Sequence, residues 1–103
     1  MNAPVIQALT MPKLGLTMKE GTVAAWHVAP GTVVTPGQRV FDVETEKVTN
    51  ECEAEAAGVL RRQVASQGAV LPVGALVGVI ADAAVSEAEI DRFVAGFQPE
   101  KQV

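Results

Sequence analysis

Between positions 42 and 55 the chain carries six of its twelve carboxylates, Asp42, Glu44, Glu46, Glu51, Glu53 and Glu55, and one base, Lys47. The formal charge of this segment, −5, exceeds the −4 of the whole chain. Crowded like charges work against stability, although water and salt weaken the penalty. Acids on an exposed hairpin also discourage strand-to-strand aggregation, so composition alone leaves a solvated edge open. The solitary lysine argues for more. One reachable primary amine in an acidic frame is an address that a modifying enzyme can recognise. The remaining reactive residues are sparse. His27 is the only histidine and Cys52 the only cysteine, with no second soft ligand at metal spacing, so no metal site is expected. Cys52 falls on the inward side of its segment among acids, which suits a small packed side chain better than a nucleophile. No glycine-rich phosphate loop or Ser-His-Asp arrangement is visible, and no catalytic residue is assigned.

The elements around Lys47 must present it. Phe41 and Val43 alternate with Asp42, Glu44 and Glu46 on the way in, and Cys52 and Ala54 alternate with Glu51, Glu53 and Glu55 on the way out. This period of two predicts a hairpin with apolar residues inward and acids outward. Lys47-Val48-Thr49-Asn50 reads as its polar loop, with Lys47 near the tip and Asn50 able to take a left-handed conformation.

Seventeen valines among 103 residues, punctuated by glycine and proline, favour strands. Sliding the sequence by 37 residues places Gly21 on Gly58, Val23 on Leu60, Gly31 on Gly68, Val33-Val34 on Val70-Leu71, Gly37 on Gly74, Val40 on Val77 and Val43 on Ile80. Each half reads as a strand, a turn at Gly31 or Gly68, a short strand, a turn at Pro36-Gly37 or Val73-Gly74, and a longer strand. Two copies are too few for a solenoid, so they must close on each other. The expected fold is all-β: a flattened barrel or sandwich of two pseudo-twofold-related sheets, burying Val23, Val28, Val34, Val40 and Val43 against their counterparts. Displacing residue 47 by 37 lands on Thr10 and Ala84, which puts the lysine and the ends of the β portion at opposite poles. A bulge is expected between Val23 and Trp26, where alternation falters.

From Val85 the period changes to 3.6, with Ile90, Phe93, Val94 and Phe97 on one stripe. Ser86 and Glu89 form a capping box, Val85 and Ile90 a hydrophobic staple, and Pro99 marks the end. A helix this short is marginal alone, so it docks on the β domain or leads toward a further one. The organisation expected is therefore a β domain over 1–82 and a helical tail or linker over 83–103.

Eight Lys and Arg against twelve Asp and Glu, with a pI near 4.8, leave no basic footprint for nucleic acid. The longest uncharged apolar stretch, Ala69 to Ala81, is 13 residues long and broken by Pro72, Gly74 and Gly78, too short to span a bilayer. Met1-Asn2-Ala3-Pro4 does not read as a secretory signal, and a lone cysteine suits the cytoplasm.

These residues resemble the lipoyl domains of dihydrolipoamide acyltransferases. The likeness runs over roughly residues 7 to 82 and rests on Met11-Pro12, Leu14-Gly15, Met18, Glu20-Gly21, Pro36-Gly37 and the Glu44-Thr45-Glu46-Lys47 core, with Gly31 and Gly58 at the family's distances from the lysine. Glu46-Lys47-Val48 stands where the family usually carries Asp-Lys-Ala. The run through Val48-Thr49-Asn50, then Gly58-Val59-Leu60-Arg61-Arg62 and Val85 to Asp91, is most similar to acyltransferase subunits of acetoin dehydrogenase systems.

The resemblance implies lipoic acid in amide linkage on Lys47. Glu44 and Glu46 would guide the lipoylating enzyme, a lipoate ligase or lipoyl transferase, while Thr45 and Val48 hold the turn. Gly31 and Gly58 would be structural turn glycines, and the Lys13 to Glu20 loop would lie near the modified turn and contribute to partner choice. It further implies a non-catalytic carrier that moves acyl groups and electrons among a thiamine-diphosphate dehydrogenase component, an acyltransferase catalytic domain and dihydrolipoamide dehydrogenase. A biotin carrier, whose lysine usually lies between methionines, and an unmodified β scaffold remain the rival readings.

Overall fold

The computed structural model describes residues 6–46 and 48–97. Eight strands precede one helix: β1 (Ile6–Thr10), β2 (Glu20–Trp26), β3 (Val33–Val34), β4 (Arg39–Glu44), β5 (Thr49–Glu53), β6 (Gly58–Gln63), β7 (Val70–Pro72), β8 (Leu76–Ala81) and α1 (Glu87–Gly96). They form two four-stranded sheets of order β1-β8-β6-β3 and β5-β4-β2-β7. Every pairing is antiparallel.

The 37-residue repeat is visible at atomic detail, because β2, β3 and β4 recur as β6, β7 and β8. Gly31 and Gly68 turn with φ of +92° and +93°, a region open to glycine because it lacks Cβ. Their amides donate to the carbonyls of Leu60 and Val23, each at 2.7 Å, so each half is stitched to the other by the same bond. Gly37 and Gly74 repeat the pattern, donating to Ala54 O and Met11 O at 2.9 Å. The bulge expected near Trp26 lies between Val23 and Ala25, and its counterpart lies between Leu60 and Arg62. Val23, Val34, Val40, Val43, Leu60 and Val77 are sealed between the sheets at 0% exposure, while Val28 packs at the margin.

Two sequence readings change. Gly58 is not a turn residue; it opens β6, and a Cβ there would stand 2.7 Å from Ile80 Cγ2. Close approach of β8, not a positive φ, is what its lack of a side chain serves. Asn50 is not a loop residue either, since it pairs with Val43 inside the β4–β5 ladder, and among the described residues no non-glycine has positive φ.

The helix starts as its sequence dictates. Ser86 Oγ accepts from Glu89 N at 3.1 Å and Ser86 N donates to Glu89 Oε1 at 3.3 Å, which closes the capping box. Val85 and Ile90 are buried with Val79 and Ala81, so α1 covers the outer face of β8, with Phe93 and Val94 at the margin of the contact. Arg61 donates to Asp82 O and Glu87, and Arg62 to Glu87 and Asp91, at 2.7–2.8 Å. The helix docks on the β domain. Pro99 lies outside the described residues.

Candidate functional site

The site is built on the β4–β5 hairpin. Glu44 pairs with Thr49, Val43 with Asn50, Asp42 with Glu51 and Phe41 with Cys52. A bulge between Arg39 and Phe41 turns two consecutive side chains, Val40 and Phe41, into the core. Beyond it alternation resumes, with Val43 buried and Glu44 exposed. Phe41 also lies against Trp26, ring centroids 5.4 Å apart, and Trp26 Nε1 donates to Ala65 O at 2.9 Å. The hairpin is therefore anchored deep in the sandwich at its base.

At its tip the hairpin closes tightly. Thr45 N donates to Val48 O at 2.8 Å, Thr45 Oγ1 donates to the same carbonyl at 3.3 Å, and Val48 N donates to Thr45 Oγ1 at 3.4 Å. Only Glu46 and Lys47 separate the two clasped residues in the chain. The connection between the strands is residues 45–48, two positions earlier than the 47–50 suggested by polarity, because Thr49 and Asn50 join the ladder. Glu46 and Val48 are both exposed, while Lys47 itself lies outside the described residues. A group attached at position 47 would therefore stand between two exposed neighbours, within reach of other molecules.

The acidic frame is partly neutralised. Asp42 and Glu51 face each other across the ladder, where like charges repel. Each has a partner elsewhere: His27 Nε2 lies 2.8 Å from Asp42 Oδ1, and Arg39 pairs with Glu51. Cys52 is half-buried, and burial first, with Asp42 second, pushes its thiol up to about 11. It is therefore a protonated packing residue at neutral pH. Among the described residues no group of three His, Cys, Asp or Glu side chains could hold a metal ion.

One wall of the site was not foreseen in detail. The β1–β2 connection spans residues 11–19, whereas its symmetry counterpart between β5 and β6 spans only 54–57. Its ends are tied to the β7–β8 turn by Met11 N to Ala75 O at 2.9 Å and Val73 N to Lys19 O at 3.0 Å. Its middle projects, with Leu16 95% exposed. Between this loop and the hairpin tip lies an open cleft of about 770 Å³, lined by Leu14, Met18, Glu46, Val48 and Val70 among others. The signal in the sequence was negative: the 37-residue match begins only at Gly21, so residues 11–19 have no partner in the second half.

The lysine turn and the ends of the sandwich lie at opposite poles. β2 starts beside the turn, with Thr22 opposite Glu44, and β8 starts at the same end, with Leu76 opposite Thr10 and Val73 bonded to Lys19. Ala81, paired with Ile6, closes β8 at the far end.

The biotin-requiring enzyme family matches residues 7–80. The chain is 55% identical over 96 residues to the dihydrolipoyllysine-residue acetyltransferase component of the acetoin cleaving system of Cupriavidus necator, and 50% identical over 95 residues to that of Pseudomonas putida. These matches cover 93% and 92% of the chain but 26% of each relative, so the chain spans about a quarter of their length. Among solved structures, the lipoyl domain of the 2-oxoglutarate dehydrogenase complex from Azotobacter vinelandii superposes with a TM-score of 0.61 at 36% identity, covering 71% of this chain and 92% of that one. A long-chain acyl-CoA carboxylase superposes with a TM-score of 0.62 over 87% of this chain and 9% of its own, at 20% identity, a likeness of fold alone.

Proposed function

The chain belongs to the biotin/lipoyl domain family, and on that premise we propose that it is a lipoyl carrier, modified on Lys47, serving an acetoin-cleaving dehydrogenase complex. The observation that carries the proposal is the hairpin connection 45–48, clasped between Thr45 and Val48, with exposed Glu46 and Val48 on either side of the lysine. The lipoyl group, once linked, supplies a dithiolane that accepts an acyl group and electrons at one active site and surrenders them at others. The domain itself makes no bonds and is not an enzyme.

Its residues do three things. β4 and β5, rooted through Phe41 and Val43, hold the turn at a fixed place. Thr45 and Val48 are clasped to each other on either side of positions 46 and 47, and Glu44 and Glu46 frame the address that a ligase would read. β8 ends at the opposite pole and α1 packs on its outer face, away from the sheet that carries the turn, so the turn is free to enter a partner's active site. Tethering raises the local concentration of the carried group at each site without any new contact. The partners proposed are a lipoate ligase or lipoyl transferase, a thiamine-diphosphate dehydrogenase component, an acyltransferase catalytic domain and dihydrolipoamide dehydrogenase. Residues 1–82 would form the lipoyl domain and 83–103 its tail toward further domains, in a reducing cytoplasm that suits the lone thiol.

A biotin carrier is the second reading, favoured by the matched family's being biotin-requiring and disfavoured by Glu46 and Val48 where methionines usually stand. Intact mass and peptide mapping, after incubation with a lipoate ligase, lipoate and ATP or with a biotin ligase, biotin and ATP, decide between them. One lipoyl increment on Lys47, absent from Lys47→Ala, is the expected result. A biotinyl increment alone, or no increment on folded protein, would overturn the lipoyl reading.

A further inference from the structure

The molecule contains its own comparison for the cleft beside the hairpin. The pseudo-twofold relates β4–β5 to β8–β1, and the connection 54–57 shows that four residues suffice to pass between the sheets. The nine residues of 11–19 are therefore more than the sandwich needs, and the surplus stands as a wall at the lysine pole only. One side of the lining is apolar, with Leu14, Val48 and Val70 40%, 49% and 56% exposed beside the Met18 thioether, while Lys19, Glu20, Glu44 and Glu46 make the rest of it charged. The Met18 sulfur accepts from Leu14 N at 3.1 Å, which fixes the wall. Thr17 and Thr45 add hydroxyls at the edges. The two covalent neighbours of Lys47, Glu46 and Val48, both line this cleft, so whatever Lys47 bears is tethered at its mouth.

We propose that the cleft between the β1–β2 loop and the β4–β5 hairpin is a resting site for the lipoyl group, taking its hydrocarbon chain and dithiolane against Leu14, Met18, Val48 and Val70. The inference rests on the lipoyl reading of Lys47. A tether of this kind gives an effective concentration in the millimolar range. An intrinsic affinity of the order of 1 mM then suffices to keep the group docked half the time or more, and is weak enough that a partner's active site draws it out. The site would shield the dithiolane between transfers without hindering delivery.

The test uses the 103-residue chain before and after enzymatic lipoylation, with modification verified by mass. Amide spectra are compared, contacts from the dithiolane protons to the Met18 methyl are sought, and dithiolane reduction by a water-soluble phosphine is timed. The reference for the rate is a lipoylated peptide spanning residues 41–54. Docking predicts shifted amides through 14–20 and at Val70, contacts to Met18, and reduction about twofold to tenfold slower than in the peptide. Leu14→Glu should restore the peptide rate, whereas Leu16→Glu, on the exposed crest outside the cleft, should not. Shifts confined to 46–49 with reduction at the peptide rate would overturn the resting site while leaving the carrier intact. Absence of any mass increment on Lys47 would instead overturn the lipoyl reading, and the resting site with it.

Discussion

Cys52 lies five positions from the lysine proposed to bear a dithiolane, and a reactive thiol there would exchange with it. Burial and Asp42 raise it from 9.0 to about 11. At pH 8 the thiolate fraction falls about 100-fold relative to an ordinary cysteine, while the greater nucleophilicity of a more basic thiolate returns somewhat under tenfold. Cys52 should therefore react with a disulfide reagent about tenfold or more slowly than the unfolded chain, and a rate equal to the unfolded one would show the protection to be absent. The glycines separate by mechanism. Gly31→Ala should cost about 1–2 kcal/mol because Cβ is resisted at positive φ, and Gly31→Asn less, since Asn tolerates left-handed backbone. At Gly58 the obstacle is Ile80 rather than φ, so Gly58→Ala should cost about 1–3 kcal/mol by overpacking, with Asn no better. Urea denaturation midpoints of the four proteins distinguish the two cases.

The elements were legible in the sequence where local pattern and tertiary demand agree. The capping box of α1 and the repeated strands of both halves follow from spacing alone, because Ser86, Glu89 and the turn glycines act within a few residues of themselves. What spacing could not give was set by partners elsewhere in the chain: the role of Gly58 depends on Ile80, and the position of the hairpin loop depends on Asn50 finding Val43. The resemblance brought the Lys13 to Glu20 loop near the turn, as the structure does, but spacing alone could not show the cleft, which lies between two elements that meet only in the fold. The docking of α1 has a charge-dependent part that can be read from pH. Hydrogen bonds from Arg62 and Arg61 hold the Glu87 carboxyl below its ordinary value of 4.5. A carboxylate depressed in the folded state stabilises it above the ordinary value, and that contribution is lost as pH falls through the depressed one. Protection of the α1 amides, taken relative to intrinsic exchange at each pH, should fall over this acid range before that of the sandwich, and Glu87→Gln should reduce this fall, leaving the part due to Asp91 and Glu89. Ser86→Ala should weaken the helix by about 1 kcal/mol through loss of its cap, read by the same exchange.

At the scale of the whole molecule, the pseudo-twofold makes a prediction about the pole where the lysine is not. Ile6 faces Ala81 across the β1–β8 ladder as Thr49 faces Glu44 across the hairpin. Joining Ala81 to Ile6 by a copy of residues 45–48, and opening the chain between the exposed Ala56 and Ala57, should regenerate the same two sheets from a permuted order. Loop closure changes little with such short connections, so the permutant should lie within about 2 kcal/mol of a parent trimmed to the β domain. Its amide spectrum should retain the core resonances of Val23, Val43, Leu60 and Val77. The protein would then offer two lysine turns with the same four-residue loop. Only one of them is flanked by Glu44 and faces the β1–β2 wall; the other is flanked by Ala81 and Ile6 and faces no such loop. If a ligase reads the acidic frame as well as the turn, timed lipoylation should fill the original lysine first. Equal rates at both turns would mean that the turn alone is the address, and that the acids around Lys47 serve the exposed edge of the sheet instead.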